Sequence, residues 1–270
     1  MSSFEIQNLF GVNGKVVLIT GGGRGIGKMI ATGFVRNGAK VYITSRNSKD
    51  CETTASELNA LGPGSCISIP ADLQQVKEVE RLVSELASRE TALHVLVNNA
   101  GTAWAATIDD FPDSGFTKLL TLNVQRVFTL TQKVLPLLRA AAQRSDPARI
   151  INIGSVEGLG VPDHDTYAYS ASKAALHHLS RHLAGRLGPE GITSNTIACG
   201  PFPTKMTAHT LKTEGDSLAA RMPLQRLGLP EDVASAAIFL SSAGGAFVTG
   251  ATITLDGGML VAMPSILNKL

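Results

Sequence analysis

Lys15-Val16-Val17-Leu18-Ile19-Thr20-Gly21-Gly22-Gly23-Arg24-Gly25-Ile26-Gly27 decides how this chain folds. Its first half is a short apolar run rich in β-branched residues, as in a strand buried on both faces. Its second half is a glycine turn, after which Lys28 to Asn37 reads as a helix stopped by Gly38. A strand, a glycine turn and a helix in succession form the first unit of a doubly wound α/β sheet. The turn brings unpaired N–H groups and the positive end of the helix dipole to a place where a pyrophosphate is stabilised. The spacing is Gly21-x-x-x-Gly25-x-Gly27 rather than the strict G-x-G-x-x-G. Taken alone it also suits a plain tight corner; its position directly after the first strand favours cofactor binding.

The same alternation continues outward. Strands are expected at Lys40–Thr44, Cys66–Pro70, Leu93–Asn98, Arg149–Ile153, Ile192–Ala198 and Thr252–Leu255. Helices are expected at Lys49–Ala60, Val76–Ser88, Tyr167–Leu187 and Pro230–Leu240, with one or two more between Asp113 and Ala142. Near-continuous apolar strands separated by helices predict a parallel sheet covered on both faces, with right-handed crossovers. The fold class is therefore α/β: a single doubly wound Rossmann domain over residues 1–270, with a parallel seven-stranded sheet.

Of the 270 residues, 44% are hydrophobic and 17% charged, which excludes a wholly disordered chain. A net charge of +2 leaves no electrostatic footprint for nucleic acid. No apolar run reaches the roughly 18 residues a membrane-spanning helix needs, and the first residues lack a secretory pattern. Cys51, Cys66 and Cys199 are scattered and form no C-x-x-C pair, as in a cytoplasmic protein with free thiols. His178 and His182 are spaced i, i+4, but no third ligand accompanies them, so no metal is expected.

Cofactor choice is read at the end of the second strand. An acid there would bind the ribose 2′-OH of NAD, whereas arginine accommodates the 2′-phosphate of NADP. The residues are Thr44-Ser45-Arg46, and Arg24 in the glycine turn reaches the same region. A guanidinium donates two parallel hydrogen bonds to phosphate, so the expected cofactor is NADP(H).

Tyr169 and Lys173 lie four residues apart, on one face of a helix. Tyr167 has Ala171 at the corresponding position and is set aside. Ser155 follows the fifth strand on the edge where such sheets bind ligands. A lysine within about 4–6 Å lowers the pKa of an acid, so Lys173 is expected to bring the Tyr169 phenol toward the working pH.

These residues, with Thr20-Gly-x-x-x-Gly-x-Gly27, Asp72-Leu73, Asn98-Asn-Ala-Gly101, Asn123 and Asp256-Gly-Gly258, occur in the order of the short-chain dehydrogenase/reductase superfamily. The chain resembles that family over nearly its full length, and within it the 3-oxoacyl-(acyl carrier protein) reductase-like ketoreductases, including the rhamnolipid type. The resemblance implies Tyr169 as proton donor, Ser155 on the substrate oxygen, Lys173 on the nicotinamide ribose and Asn123 in a water-mediated proton relay. It implies further cofactor contacts from Gly21, Arg24, Gly25, Ile26 and Gly27, from Ser45, Arg46, Asp72 and Leu73, and from Asn98, Asn99, Ala100 and Gly101. Gly200, Phe202 and Thr204 complete that set near the nicotinamide.

Two departures from the family pattern stand out. Cys199 replaces the usual proline before Gly200, and packs as a small hydrophobe. Phe202 replaces a smaller aliphatic residue and is expected to narrow the nicotinamide end. The long segment from Pro201 to Gln225 is expected to form a substrate lid. Phe202, Met206, Leu211, Leu218 and Met222 from it, with Trp104, would make the pocket apolar, and Glu157 and His164 would border it. Phe247–Gly250 and the tail Met259–Leu270 resemble tetramer contacts of the family, so a homotetramer or homodimer is expected.

The expected activity is NADPH-dependent reduction of a ketone, a 3-oxoacyl or similar carbonyl substrate, to a secondary alcohol. Two rivals stand beside it: an NADP-dependent alcohol or polyol dehydrogenase running oxidatively, and a non-enzymatic NADPH-binding redox sensor. The intact Ser155, Tyr169 and Lys173 argue against the sensor.

Overall fold

The strand that opens the glycine turn, β1 (Val16–Thr20), is buried along its whole length. It pairs in parallel with β2 (Lys40–Thr44) on one side and β4 (Val95–Asn98) on the other. β2 continues to β3 (Ser65–Ser68), and β4 continues through β5 (Ala148–Ser155) and β6 (Ile192–Cys199) to β7 (Thr252–Leu255). The expected architecture is present: a seven-stranded parallel sheet in the order β3-β2-β1-β4-β5-β6-β7. The chain turns one way from β1 and then crosses back beside it to β4. The carboxyl ends of these two strands therefore open a crevice, where ligands of such sheets bind. The computed structural model describes residues 4–208, 218–220 and 222–262.

Two apolar layers flank the sheet. On one face α2 (Gly25–Arg36), α3 (Ser48–Asn59) and α8 (Pro230–Ser241) bury Ile30, Phe34, Leu58, Val233 and Leu240 against alternate residues of the strands. On the other, α4 (Val76–Arg89), α6 (Arg126–Ala141) and α7 (Tyr167–Leu187) bury Leu82, Leu86, Val134, Leu138 and Leu187. Each such side chain contributes roughly 1.5–3 kcal/mol by leaving water. A short α1 (Ile6–Phe10) precedes the sheet, and α5 (Asp113–Leu120) leads into α6.

Several boundaries differ from expectation for physical reasons. α2 begins at Gly25, inside the glycine turn, because the Arg24 carbonyl already accepts from the Lys28 N–H. β3 begins at Ser65 and ends before Ile69, since its ladder register follows Lys40–Ile43 of β2. β5 runs two residues further than Ile153, to Ser155, because β6 pairs with it that far. Ser155 is thus the last residue of the strand rather than the first beyond it. The span from Asp113 to Ala141 is two helices joined by a π-helical turn, Thr121–Gln125.

Candidate active site

The glycine turn curls over the end of β1 because two of its residues take left-handed backbone, Gly21 at φ +64° and Gly25 at φ +54°. Thr20 anchors the opposite wall. Its Oγ1 accepts from the main-chain N–H groups of Asn99 and Ala100, at 2.9 Å each. Asn99 returns the bond through Nδ2, which donates to the carbonyls of Thr20 and Gly21. The carboxyl ends of β1 and β4 are thereby fixed to each other across the crevice. Thr20 carries this clamp although its side chain had no assigned role in the sequence reading.

Gly27 is where helix and turn touch. A Cβ there would lie 2.3 Å from the Gly21 carbonyl oxygen and 2.5 Å from Asn99 Nδ2. Gly27→Ala is therefore expected to cost about 1–3 kcal/mol of stability and to loosen the clamp. A lower Tm together with weakened NADPH binding in a fluorescence titration would show it; an unchanged titration would remove Gly27 from the cradle.

The end of β2 faces this turn. Ser45 is partly buried, and its Oγ lies 3.0 Å from where a Cβ on Gly23 would stand. Arg24 and Arg46 are both exposed, and Arg24 makes only a long contact, 4.0 Å, with Asp50. Asp72 is partly buried, with Oδ1 accepting from the Gln74 N–H, and Leu73 is buried beside it. Ile26 packs on the core below the turn. Thr204 covers Gly25 from the start of the lid segment, at 3.4 Å from a Cβ built there. Gly200 follows β6 against the main chain of Asp256.

The catalytic candidates meet at the same edge of the sheet. Ser155 stands beside the Tyr169 hydroxyl, and its Oγ accepts from the Glu157 N–H at 3.2 Å. Lys173 is buried; its Nζ donates to the Ile153 carbonyl at 2.7 Å and lies 5.6 Å from the centre of the Tyr169 ring. Gly101 closes the set from β4, since a Cβ there would stand 3.2 Å from Asn123 Oδ1 and 3.8 Å from Lys173 Nζ. Tyr167, by contrast, is exposed and donates to Asp165.

Asn123 stands in the π-helical turn, a feature frequent at functional sites. Its side chain is fully engaged: Oδ1 accepts from the Thr102 N–H, and Nδ2 donates to the Thr102 carbonyl and to Ser172 Oγ. It ties the loop after β4 to α7. Ser172 belongs to this network and was not anticipated.

Electrostatics departs from expectation at one point. Burial raises the Tyr169 pKa above the usual phenol range; the Ser155 hydrogen bond lowers it by less. Burial also pushes Lys173 down, to about 8. The lysine does not outweigh desolvation of the phenol here, so Tyr169 holds its proton firmly. Burial likewise pushes the Cys199 thiol up, to about 12, and Cys199 packs in the core as a small hydrophobe.

Toward the substrate side the residues separate. Glu157 Oε2 accepts from Thr166 at 2.6 Å and Ser170 at 2.9 Å, while His164 Nε2 lies 3.3 Å from Oε1. These groups form a loop clasp just before Tyr169, and the Glu157 carboxylate is already satisfied within it. Trp104 is exposed with Lys118 Nζ 5.3 Å from its ring centre, and Met206 is exposed on the lid segment. Phe202 is corrected: its ring is 2% exposed and packs in the core against Gly228, so it does not narrow the nicotinamide end. Met222 is buried near the end of the segment 201–225, where the Leu224 N–H donates to the Gly257 carbonyl. Leu211 lies outside the described residues, and Leu218 is partly buried. His178 and His182 are both exposed on α7, and among the described residues no group of three or more His, Cys, Asp or Glu is placed to hold a metal. No helix among them is long and apolar enough to cross a membrane.

A buried lysine and serine with a half-buried tyrosine, at the carboxyl edge of a doubly wound sheet and next to a clamped glycine turn, form the arrangement of a nicotinamide-type oxidoreductase. The chain belongs to the short-chain dehydrogenase/reductase superfamily, and residues 21–260 match the family model described as enoyl-(acyl carrier protein) reductase. It is 46% identical over 253 residues to the rhamnolipids biosynthesis 3-oxoacyl-[acyl-carrier-protein] reductase of Pseudomonas aeruginosa, covering 92% of this chain and 97% of that protein. The solved Pseudomonas aeruginosa RhlG/NADP active-site complex superposes with a TM-score of 0.90 at 45% identity, over 93% of this chain and 98% of that one. A gluconate 5-dehydrogenase from Burkholderia cenocepacia, solved in complex with NADP and tartrate, superposes at 0.87 with 31% identity, over 96% and 100%.

Proposed function

We propose that this chain reduces a ketone, a 3-oxoacyl thioester or similar carbonyl compound, to a secondary alcohol with NADPH. The observation that carries the reading is the convergence of Ser155, Tyr169 and Lys173 beside the glycine cradle at the sheet's crevice. The residues present fit a dinucleotide. Gly21 and Gly25 make a left-handed turn that leaves room for a pyrophosphate, and Arg24 of that turn and Arg46 after β2 are exposed toward a 2′-phosphate, with no acid among Thr44-Ser45-Arg46. Relatives solved with NADP support the same choice.

When bound, NADPH supplies the hydride. The rest is the chain's own work. Ser155 Oγ orients the substrate carbonyl by hydrogen bonding its oxygen, and Tyr169 delivers the proton to that oxygen. Burial keeps the Tyr169 phenol protonated at working pH, the form a proton donor must have. Lys173, held to the Ile153 carbonyl and 5.6 Å from the Tyr169 ring centre, would hold the nicotinamide ribose and place its charge beside the phenol. With its side chain engaged, Asn123 contributes to proton resupply through its main-chain carbonyl in the π-helical turn. The described ends of the segment 201–225 border the crevice, with Thr204 over Gly25 and Met222 against the Gly257 turn. Exposed Phe247 supports assembly into a homotetramer or homodimer through the region around it.

The test is NADPH oxidation by the purified protein against 3-oxoacyl thioesters of increasing chain length, small ketones and keto-sugar acids. Turnover of a 3-oxoacyl thioester is expected; no oxidation across the whole panel would sink the reading. A second reading, an NADP-dependent polyol dehydrogenase, is favoured by 33% identity to the 5-keto-D-gluconate 5-reductase of Escherichia coli. Turnover confined to keto-sugar acids, or faster with NADP and a polyol, would select it.

A further inference from the structure

α7 carries a histidine that the reaction scheme above does not use. His177 stands one helical turn after Lys173 and is 2% exposed. Its Nε2 accepts from the main-chain N–H of Ser155, at 3.4 Å. Its Nδ1 is buried without a hydrogen-bond partner, an uncommon and unfavourable condition for a polar group.

The imidazole occupies a slot made of absent side chains. A Cβ on Gly154 would lie 2.1 Å from its Nε2, and a Cβ on Gly158 would lie 2.8 Å from its Cε1. At Gly158 the same Cβ would also stand 2.8 Å from the Lys173 carbonyl carbon and 2.9 Å from the Ala174 nitrogen. The last residues of β5 and the turn after it therefore rest directly on the main chain of α7, with the ring wedged between them. His177 thus joins the strand end that carries Ser155 to the helix that carries Tyr169 and Lys173, beside the link that Lys173 makes to the Ile153 carbonyl.

We propose that His177 is a positioning residue: its neutral ring, accepting from the Ser155 N–H, sets the height and rotation of Ser155 so that the serine hydroxyl meets both Tyr169 and the substrate oxygen. Acceptance at Nε2 requires the proton to sit on Nδ1, which is the tautomer that leaves Nδ1–H unpaired in the slot. Burial, with the charges of Lys173 and Arg181 nearby, pushes the His177 pKa down to about 4 and keeps the ring neutral at working pH. The inference rests on the reductase reading for its catalytic consequence, and on geometry alone for the hydrogen bond.

Two measurements test it separately. In wild-type protein labelled with ¹⁵N-histidine, the His177 signals, assigned by their loss in His177→Gln, are expected to show a neutral Nδ1–H ring at pH 7. An Nε2–H ring or an imidazolium would overturn the proposal whatever the activity. Kinetics then compares His177→Met, which fills the slot without an acceptor, with His177→Gln, whose Oε1 reaches the Nε2 position. His177→Met is expected to lower kcat about ten- to a hundredfold, to leave the Kd for NADPH within about twofold, and to raise the solvent isotope effect on kcat. His177→Gln is expected to recover most of that loss. Equal impairment of both variants, or wild-type rates in His177→Met, would overturn the positioning role. If His177→Met does not fold, the glutamine variant and the tautomer decide. If wild type turns over no carbonyl or alcohol yet shows the Nδ1–H ring, the reductase reading fails and the Ser155 hydrogen bond stands.

Discussion

Lys173→Met is expected to abolish carbonyl reduction while making the cofactor-free protein more resistant to heat at neutral pH. Loss of a group that sets the field under a general acid lowers kcat by roughly 10²–10⁴. The stabilisation follows from the same burial. Lys173 moves from an ordinary value of 10.5 to about 8, so holding it charged inside the fold costs about 3 kcal/mol below that pH. Methionine removes the charge at nearly the same length, but leaves the Ile153 carbonyl unpaired, which costs about 1–3 kcal/mol. A net gain on the order of 1 kcal/mol, or about 2–4 °C in Tm, remains for a chain of this size.

The pH dependence gives that prediction its sign. Between about 8 and 10.5 the unfolded chain binds the proton and the folded chain does not, so wild-type stability rises with pH through that window. The methionine variant lacks this rise. Its advantage is therefore expected to be full below about pH 8 and to shrink toward pH 10.5. Thermal melts of both proteins across that range check it. A variant less stable than wild type at pH 7 would show that the Ile153 hydrogen bond outweighs the burial of charge.

How far the sequence carries this site is clearest residue by residue. The strands, the sheet class and the Tyr169–Lys173 face were legible, because burial on both faces and helical spacing are local patterns. Tyr167 was set aside for the same reason, and it stands exposed, donating to Asp165. β5 was read two residues short because Gly154 looks like a strand ending; its smallness is demanded instead by His177, 23 residues later. His178 and His182 attracted notice as a spaced pair, whereas His177 beside them holds the contact with Ser155. Only the pairing of α7 with β5 tells the three apart. Phe202 failed in the opposite way: it follows the nicotinamide wall in sequence, but Gly228 opens a core pocket that takes the ring. The π-helical turn at Asn123 has no periodic signature, since both flanking helices keep their own pattern.

Ser45→Asp combined with Arg46→Ala is expected to turn cofactor preference from NADPH to NADH. Each charge-assisted bond from a guanidinium to the 2′-phosphate contributes roughly 1.5–3 kcal/mol, so removing one weakens NADPH binding about ten- to over a hundredfold. Arg46 follows β2 and Arg24 stands in the glycine turn; both are exposed, and Arg24 is held to Asp50 by a long 4.0 Å contact that a phosphate can replace. Ser45 faces the glycine turn, its Oγ lying 3.0 Å from where a Cβ on Gly23 would stand. A carboxylate at position 45 therefore lies on the ribose side, where it accepts from a 2′-OH and repels a 2′-phosphate. The order of effects is the discriminating part. Arg46→Ala alone should weaken NADPH and leave NADH nearly unchanged; adding Ser45→Asp should weaken NADPH further and tighten NADH. Fluorescence titration of both cofactors with wild type, the single and the double variant reads all of this in one series. Equal affinity of wild type for the two cofactors would remove the 2′-phosphate argument and bring the dehydrogenase reading to the front, because the arginines at β2 would then be solvated surface groups.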